Sequence, residues 1–137
     1  MKRPVCSVFD GVPSDPPELT RAVELQQRAA GVGFDWTDMP PVLAKIREEL
    51  AELETEIASG ASSERIQDEL GDVLFASANL ARKLGIDPEQ ALRGTNRKFQ
   101  RRFRIVEAQL AQHGRLPQDA TLEEMDVIWE QAKHDEA

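Results

Sequence analysis

Cysteine is almost missing: Cys6 is the only one in 137 residues. It has no partner for an internal disulfide, and a structural zinc site needs two or more, so a reducing, cytoplasmic setting is expected. Long apolar runs are missing as well. Nothing approaches the roughly 20 residues of a membrane helix, and the opening "MKRPVCSVFDGVPSDPP" lacks the apolar stretch of a secretory signal. A soluble, unprocessed chain with no membrane partner is the expectation. Positive charge is in deficit, with a formal net charge of −8. That disfavours nucleic acid as a partner, because a phosphate backbone rewards clustered Lys and Arg. A small phosphorylated ligand is compatible with this charge if a metal intervenes. There is no strand alternation and no internal repeat.

What is present is helix. Charged residues make up 31% of the chain and apolar ones 40%, which suits one globular domain of this length. Half of the eight prolines lie at Pro4, Pro13, Pro16 and Pro17, so residues 1–18 read as a tail or linker and residues 19–137 as the domain. A first helix over about 18–30 ends at "GVGFDW", where Gly31 and Gly33 let the chain turn. A second starts near Thr37 or Asp38 and runs to Gly60, with Pro40 and Pro41 tolerated in its first turn. Its Val42, Ile46, Leu50, Leu53 and Ile57 form one apolar stripe. A third, about 63–84, opens at Ser62 or Ser63 and ends at Gly85. Asp87 caps a fourth, with Pro88 at its first position, that continues to about His113. In "TLEE", Thr121 and Glu124 have the spacing of a capping box that opens a fifth. The fold class is all-α, an antiparallel helical bundle of about five helices.

The second helix then breaks its own pattern. Glu49 lies three residues after Ile46 and four before Leu53, on the line that should be buried, with Glu48 and Glu52 beside it. Like charges at these spacings cost an isolated helix about 0.2–0.5 kcal/mol per pair, and burying an unpaired charge costs several kcal/mol more. The third helix repeats the arrangement: Glu69 and Asp72 are three apart, nine uncharged residues follow, and their line continues into Val73, Phe75, Ala76 and Asn79. If the two helices are antiparallel neighbours, their acids can face one another. An all-oxygen cage of this kind suits Mg²⁺ or Mn²⁺ rather than zinc. The alternative reading is a set of solvated acids in salt bridges to Lys45, Arg47 or Arg65.

The fourth helix carries the opposite sign. Lys98 and Arg102, four apart, flank its apolar stripe of Phe99, Phe103, Val106 and Leu110, with Asn96 on the same line; Arg97, Arg101 and Arg104 read as an outer face. A Lys/Arg pair near metal-binding carboxylates is the usual equipment for a polyphosphate, although such a helix can equally pair with acidic neighbours. Trp129, four before Lys133, reads either as a core aromatic or as a stacking wall for a nucleobase.

"REELAELE", "DELGDVLFASANLARKLGIDPEQALRGTNRKFQRRF" and "EEMDVIWEQAK" together resemble the MazG nucleoside triphosphate pyrophosphohydrolases, whose mark is E-E-x-x-E followed by E-x-x-D. The likeness runs from about Arg21 to Lys133. It implies an all-α dimer or higher assembly that hydrolyses nucleoside triphosphates to monophosphate and pyrophosphate by attack of metal-activated water at the α-phosphorus. By the same resemblance Glu49, Glu52, Glu69 and Asp72 are the Mg²⁺ ligands, with Mn²⁺ a substitute, and Glu48 positions or deprotonates the water. Lys98 and Arg102 bind the triphosphate, and Asn96, Trp129 and Lys133 fall at substrate positions. Many relatives carry two such modules, and the stretch before Thr37 resembles the link ahead of a second module, so the chain is either a stand-alone form or one half of a pair. A broad, pool-cleansing substrate range is the leading expectation. A narrower dUTP or phosphoribosyl-ATP pyrophosphohydrolase, or a non-catalytic helical interaction module, are the alternatives. Independently of family, helices bearing Phe75, Phe99, Phe103 and Trp129 offer more apolar surface than one small bundle covers, which predicts a homodimer.

Overall fold

A computed structural model describes residues 6–15 and 17–136; within the expected tail, residues 1–5 and 16 lie outside the described residues. All regular structure among them is helical: α1 Glu18–Ala30, α2 Met39–Ala58, α3 Ser63–Leu84, α4 Pro88–Ala111 and α5 Leu122–Asp135. A short 3-10 turn, Pro117–Asp119, precedes α5 and has no counterpart in the sequence reading.

The boundaries follow local chemistry. The Ser62 side chain accepts the Arg65 amide to open α3, and Pro40 and Pro41 sit in the first turn of α2, where missing N–H groups cost nothing. α3 stops at Gly85, whose φ of 69° is the left-handed conformation that a residue with a Cβ enters only under strain. There the Gly85 and Ile86 amides close on the carbonyls of Arg82 and Ala81. The Asp87 side chain accepts the Glu89 amide at the start of α4. Thr121 and Glu124 form the expected reciprocal capping box.

The chain divides into two compact units, one up to Ala91 and the other from Leu92. In the first, α2 and α1 both pack on α3. Buried here are Val42, Leu53, Ala76 and Ala78, and with them Glu49 and Asn79. Of the stripe predicted on α2, Val42 and Leu53 are buried, whereas Leu50 and Ile57 are 45% and 57% exposed. Periodicity located the apolar face, and within the first unit the described residues cover only part of its length. Ahead of α1, the carbonyls of Val8 and Asp10 accept Arg28 Nη1, so part of the segment expected as a tail lies against that helix.

In the second unit Val106, Leu110 and Ala132 are buried. α4 and α5 are joined through side chains: Phe99 meets Trp129 with ring centroids 5.2 Å apart, and Arg101 and Arg102 converge on Glu136. Arg115 pairs with Glu124 of the capping box.

Candidate functional site

The turn between α2 and α3 is only four residues long, 59–62, so the chain doubles back and residues equally far from it come level. Glu49 is nine residues before Ala58, and Asp72 is nine after Ser63. That register brings the acids of the two helices together. Carboxylate oxygens of Glu49, Glu69 and Asp72 all lie within 4.8 Å of one another, the one such cluster among the described residues. Glu52 is not part of that triplet, but it is within hydrogen-bonding reach of Glu49 and Glu69.

Burial within the cluster is uneven. Glu49 is 6% exposed and Glu69 is half-buried, while Glu52 and Asp72 face solvent; the group therefore runs from the interior out to the surface. Lys45 Nζ reaches Glu49 Oε1 at 2.8 Å and Glu48 Oε2 at 3.6 Å. The salt-bridge reading is thus correct for one oxygen of Glu49. Its other oxygen, Oε2, is buried with no hydrogen-bond partner, and so is Oε2 of Glu69. An orphaned buried carboxylate oxygen is costly. Two of them, on facing helices in an all-oxygen donor set, fit a hard divalent cation.

Electrostatics agree with that fit. The charge of Glu49 pushes the Glu52 carboxyl above its ordinary pKa, with desolvation adding to it. Burial raises Glu69, helped by the charges of Asp72 and Glu49. Burial, then Asp68 and Glu49, raises Asp72. Lys45 moves up as well, mainly through its hydrogen bond to Glu49. These acids hold protons too tightly for want of compensating positive charge. Glu48 sits outside the triplet, exposed beside Lys45.

The cationic residues picked out from the sequence belong to the second unit. Lys98, Asn96 and Lys133 are exposed. Arg102 is already paired: its Nη2 is 2.8 Å from Glu136 Oε2, and its guanidinium lies 5.9 Å from the centre of the Trp129 ring. Between them Arg101 and Arg102 hold the Glu136 carboxyl down at about 2. Trp129 is half-buried and engaged by Phe99 and Arg102. Sequence reasoning named Lys45 only in the salt-bridge alternative, and the structure joins it to the acid cluster through Glu49. It also missed the surroundings of Gly31–Asp38, for which no local signal exists.

Residues 40–106 match the family model of the MazG nucleotide pyrophosphohydrolase domain. The chain is 43% identical over 131 residues to an Escherichia coli protein named nucleoside triphosphate pyrophosphohydrolase, covering 95% of this chain and 50% of that one. It is 40% identical over 117 residues to the Thermotoga maritima nucleoside triphosphate pyrophosphohydrolase/pyrophosphatase MazG, covering 85% and 44%. A Bacillus subtilis protein, the uncharacterized YabN, is 42% identical over 130 residues, 95% of this chain and 27% of that one. The chain thus spans half or less of the length of the curated relatives it matches. The acid-bearing helices and most of α4 fall inside the matched stretch, and residues 40–106 form a MazG nucleotide pyrophosphohydrolase domain.

Proposed function

We propose that this chain hydrolyses nucleoside triphosphates to the monophosphate and pyrophosphate at the acid cluster of α2 and α3, with Mg²⁺ as the working cation and a broad nucleotide range. The observation that carries the reading is the pair of buried, unpartnered oxygens on Glu49 and Glu69, with Asp72 beside them. The names of the Escherichia coli and Thermotoga maritima relatives supply the reaction.

Glu49, Glu69 and Asp72, with Glu52 at their edge, would hold the divalent cation. Once bound, it supplies a Lewis acid that lowers the pKa of water and neutralises phosphoryl oxygens. Lys45 keeps one oxygen of Glu49 fixed, so the free oxygen is presented in a defined position. Glu48, exposed and near the same lysine, is the proposed acceptor of the proton leaving the attacking water. Lys98, Arg102, Asn96, Trp129 and Lys133 are proposed substrate ligands on the strength of the resemblance. A homodimer is part of the same proposal, supported by apolar side chains such as Leu50, Ile57, Leu70 and Leu74 that stand exposed on α2 and α3.

Hydrolysis of a panel of triphosphates in H₂¹⁸O with Mg²⁺ tests this directly. Label in the monophosphate, from several nucleotides, is expected. Release of orthophosphate, or label in the pyrophosphate, contradicts attack at the α-phosphorus. Turnover of a single nucleotide overturns the broad range in favour of a narrower enzyme.

A further inference from the structure

The end of α5 carries a carboxylate where a helix disfavours one. Glu136 is the C-cap residue of that helix, and the carbonyl end of a helix dipole is unfavourable for negative charge. Its side chain is nevertheless only 23% exposed, because two guanidinium groups of α4 close on it. Arg101 Nε donates to Oε1 at 3.0 Å. Arg102 donates to Oε2 through Nε at 2.9 Å and Nη2 at 2.8 Å.

The two arginines are not equivalent. The Arg101 side chain is 56% exposed and that of Arg102 13%. Arg102 is also held from its face, since its guanidinium lies 5.9 Å from the centre of the Trp129 ring. That ring is itself fixed: Phe99 meets it at 5.2 Å and stacks on Phe103 at 6.3 Å. A long side chain bonded along one edge and covered on one face keeps little rotational freedom. Lys98 and Lys133, proposed for the same substrate, are exposed side chains by contrast.

One carboxylate shared by two guanidiniums leaves one positive charge in excess, so the group still attracts an anion. Arg102 spends its Nε–Nη2 edge on Glu136, and Nη1 takes no part in that contact. The guanidinium is a planar fork of fixed geometry. Fixing one edge therefore aims the rest.

We propose that Glu136 is a positioning residue for phosphate binding, which sets the plane of Arg102 against Trp129 so that the Nη1 side of the guanidinium is presented to phosphoryl oxygens of the substrate. The proposal rests on the triphosphate-hydrolase reading, with Arg102 among its substrate ligands, and adds the residue that prepares that ligand. Ordering a long side chain beforehand lowers the cost of binding. A fork fixed in plane also meets two phosphoryl oxygens at once.

Inorganic pyrophosphate is a product that the proposed reaction releases and does not consume, so calorimetric titration with it in Mg²⁺ reads binding without turnover. Glu136→Ala should weaken that binding about fivefold to tenfold, and Glu136→Gln, which keeps one acceptor oxygen, by less. In an Arg102→Ala chain, already weakened by at least that factor, adding Glu136→Ala should change affinity by less than about twofold. Arg102→Lys, whose ammonium has no edge to orient, gives the same comparison if Arg102→Ala fails to fold. A purely structural role for Glu136 predicts equal weakening in both backgrounds and overturns the proposal. Tighter binding by Glu136→Ala overturns it too, since the carboxylate would then be a competitor for the anion site, and so does a native chain that binds no pyrophosphate. The expected pattern in a chain that hydrolyses no triphosphate sustains the positioning role and overturns the hydrolase reading.

Discussion

Glu49 shows at the residue scale how fold and site compete. It occupies a core position of α2, next to Val42 and Leu53 on the buried face, and gives one oxygen to Lys45 while the other has no partner. Around it Glu52, Glu69 and Asp72 all hold protons above their ordinary pKa. For groups raised in the folded state, the stability they contribute is fully present below the unfolded carboxylate range near about 4. It is lost as pH rises through the raised values, because the folded chain then binds more protons than the unfolded one. Asp35, Glu124 and Glu136 have the opposite sign. Hydrogen bonds from Arg82, Arg115 and Arg101 respectively lower them, so their stabilisation is present above about 4 and disappears only as pH falls further. Above the ordinary carboxylate range the raised acids therefore set the sign. The metal-free chain should lose thermal stability as pH rises above that range. The increase in Tm caused by Mg²⁺ should grow in step, since the cation replaces the missing protons; differential scanning fluorimetry with and without EDTA checks both. A Mg²⁺ effect independent of pH would contradict it.

At the scale of elements, the helices were legible because their signals are local. Ser62, Gly85, Asp87 and the Thr121–Glu124 box each act within a few residues, and each ends or starts a helix where its chemistry requires. The acid site was legible one step further, since two in-line acid pairs on helices joined by a short turn can be placed level with each other by counting. The aromatic connection between α1 and α2 was not legible. Its shape depends on Asp35 meeting Arg82 and Lys83, 47 and 48 residues away, and no periodicity reports a contact at that range. Gly33 with φ 95° adds a turn that only glycine adopts freely. That connection supplies the further prediction at this scale. Asp35→Ala should free that connection from Arg82 and Lys83 and lower Tm by a few degrees in differential scanning fluorimetry. An unchanged Tm would show that these ion pairs do not hold the connection to α3.

For the molecule as a whole, the short register of buried apolar residues contrasts with the exposed ones. Leu70, Leu74 and Phe75 on α3 are about half exposed, and so are Leu50 and Ile57 on α2. Spacing placed Leu50, Ile57 and Phe75 on faces expected to be buried, and among the described residues those faces are only partly covered, because helical periodicity specifies a face but not its partner. A second copy is the economical cover. Light scattering coupled to gel filtration should give twice the 15.3 kDa chain mass, and the pair Leu70→Lys with Leu74→Lys should shift the species to monomer. A monomeric native chain would contradict the proposal.

The account stands most directly on cation binding by the facing acids. Titration of the chain with Mn²⁺, followed by loss of the free-ion EPR signal, measures it without reference to turnover. Saturable binding by the native chain, weakened at least about tenfold in Asp72→Asn and in Glu49→Gln, is the expected result. A free-ion signal that the native chain leaves unchanged, or binding that survives both substitutions, would contradict it.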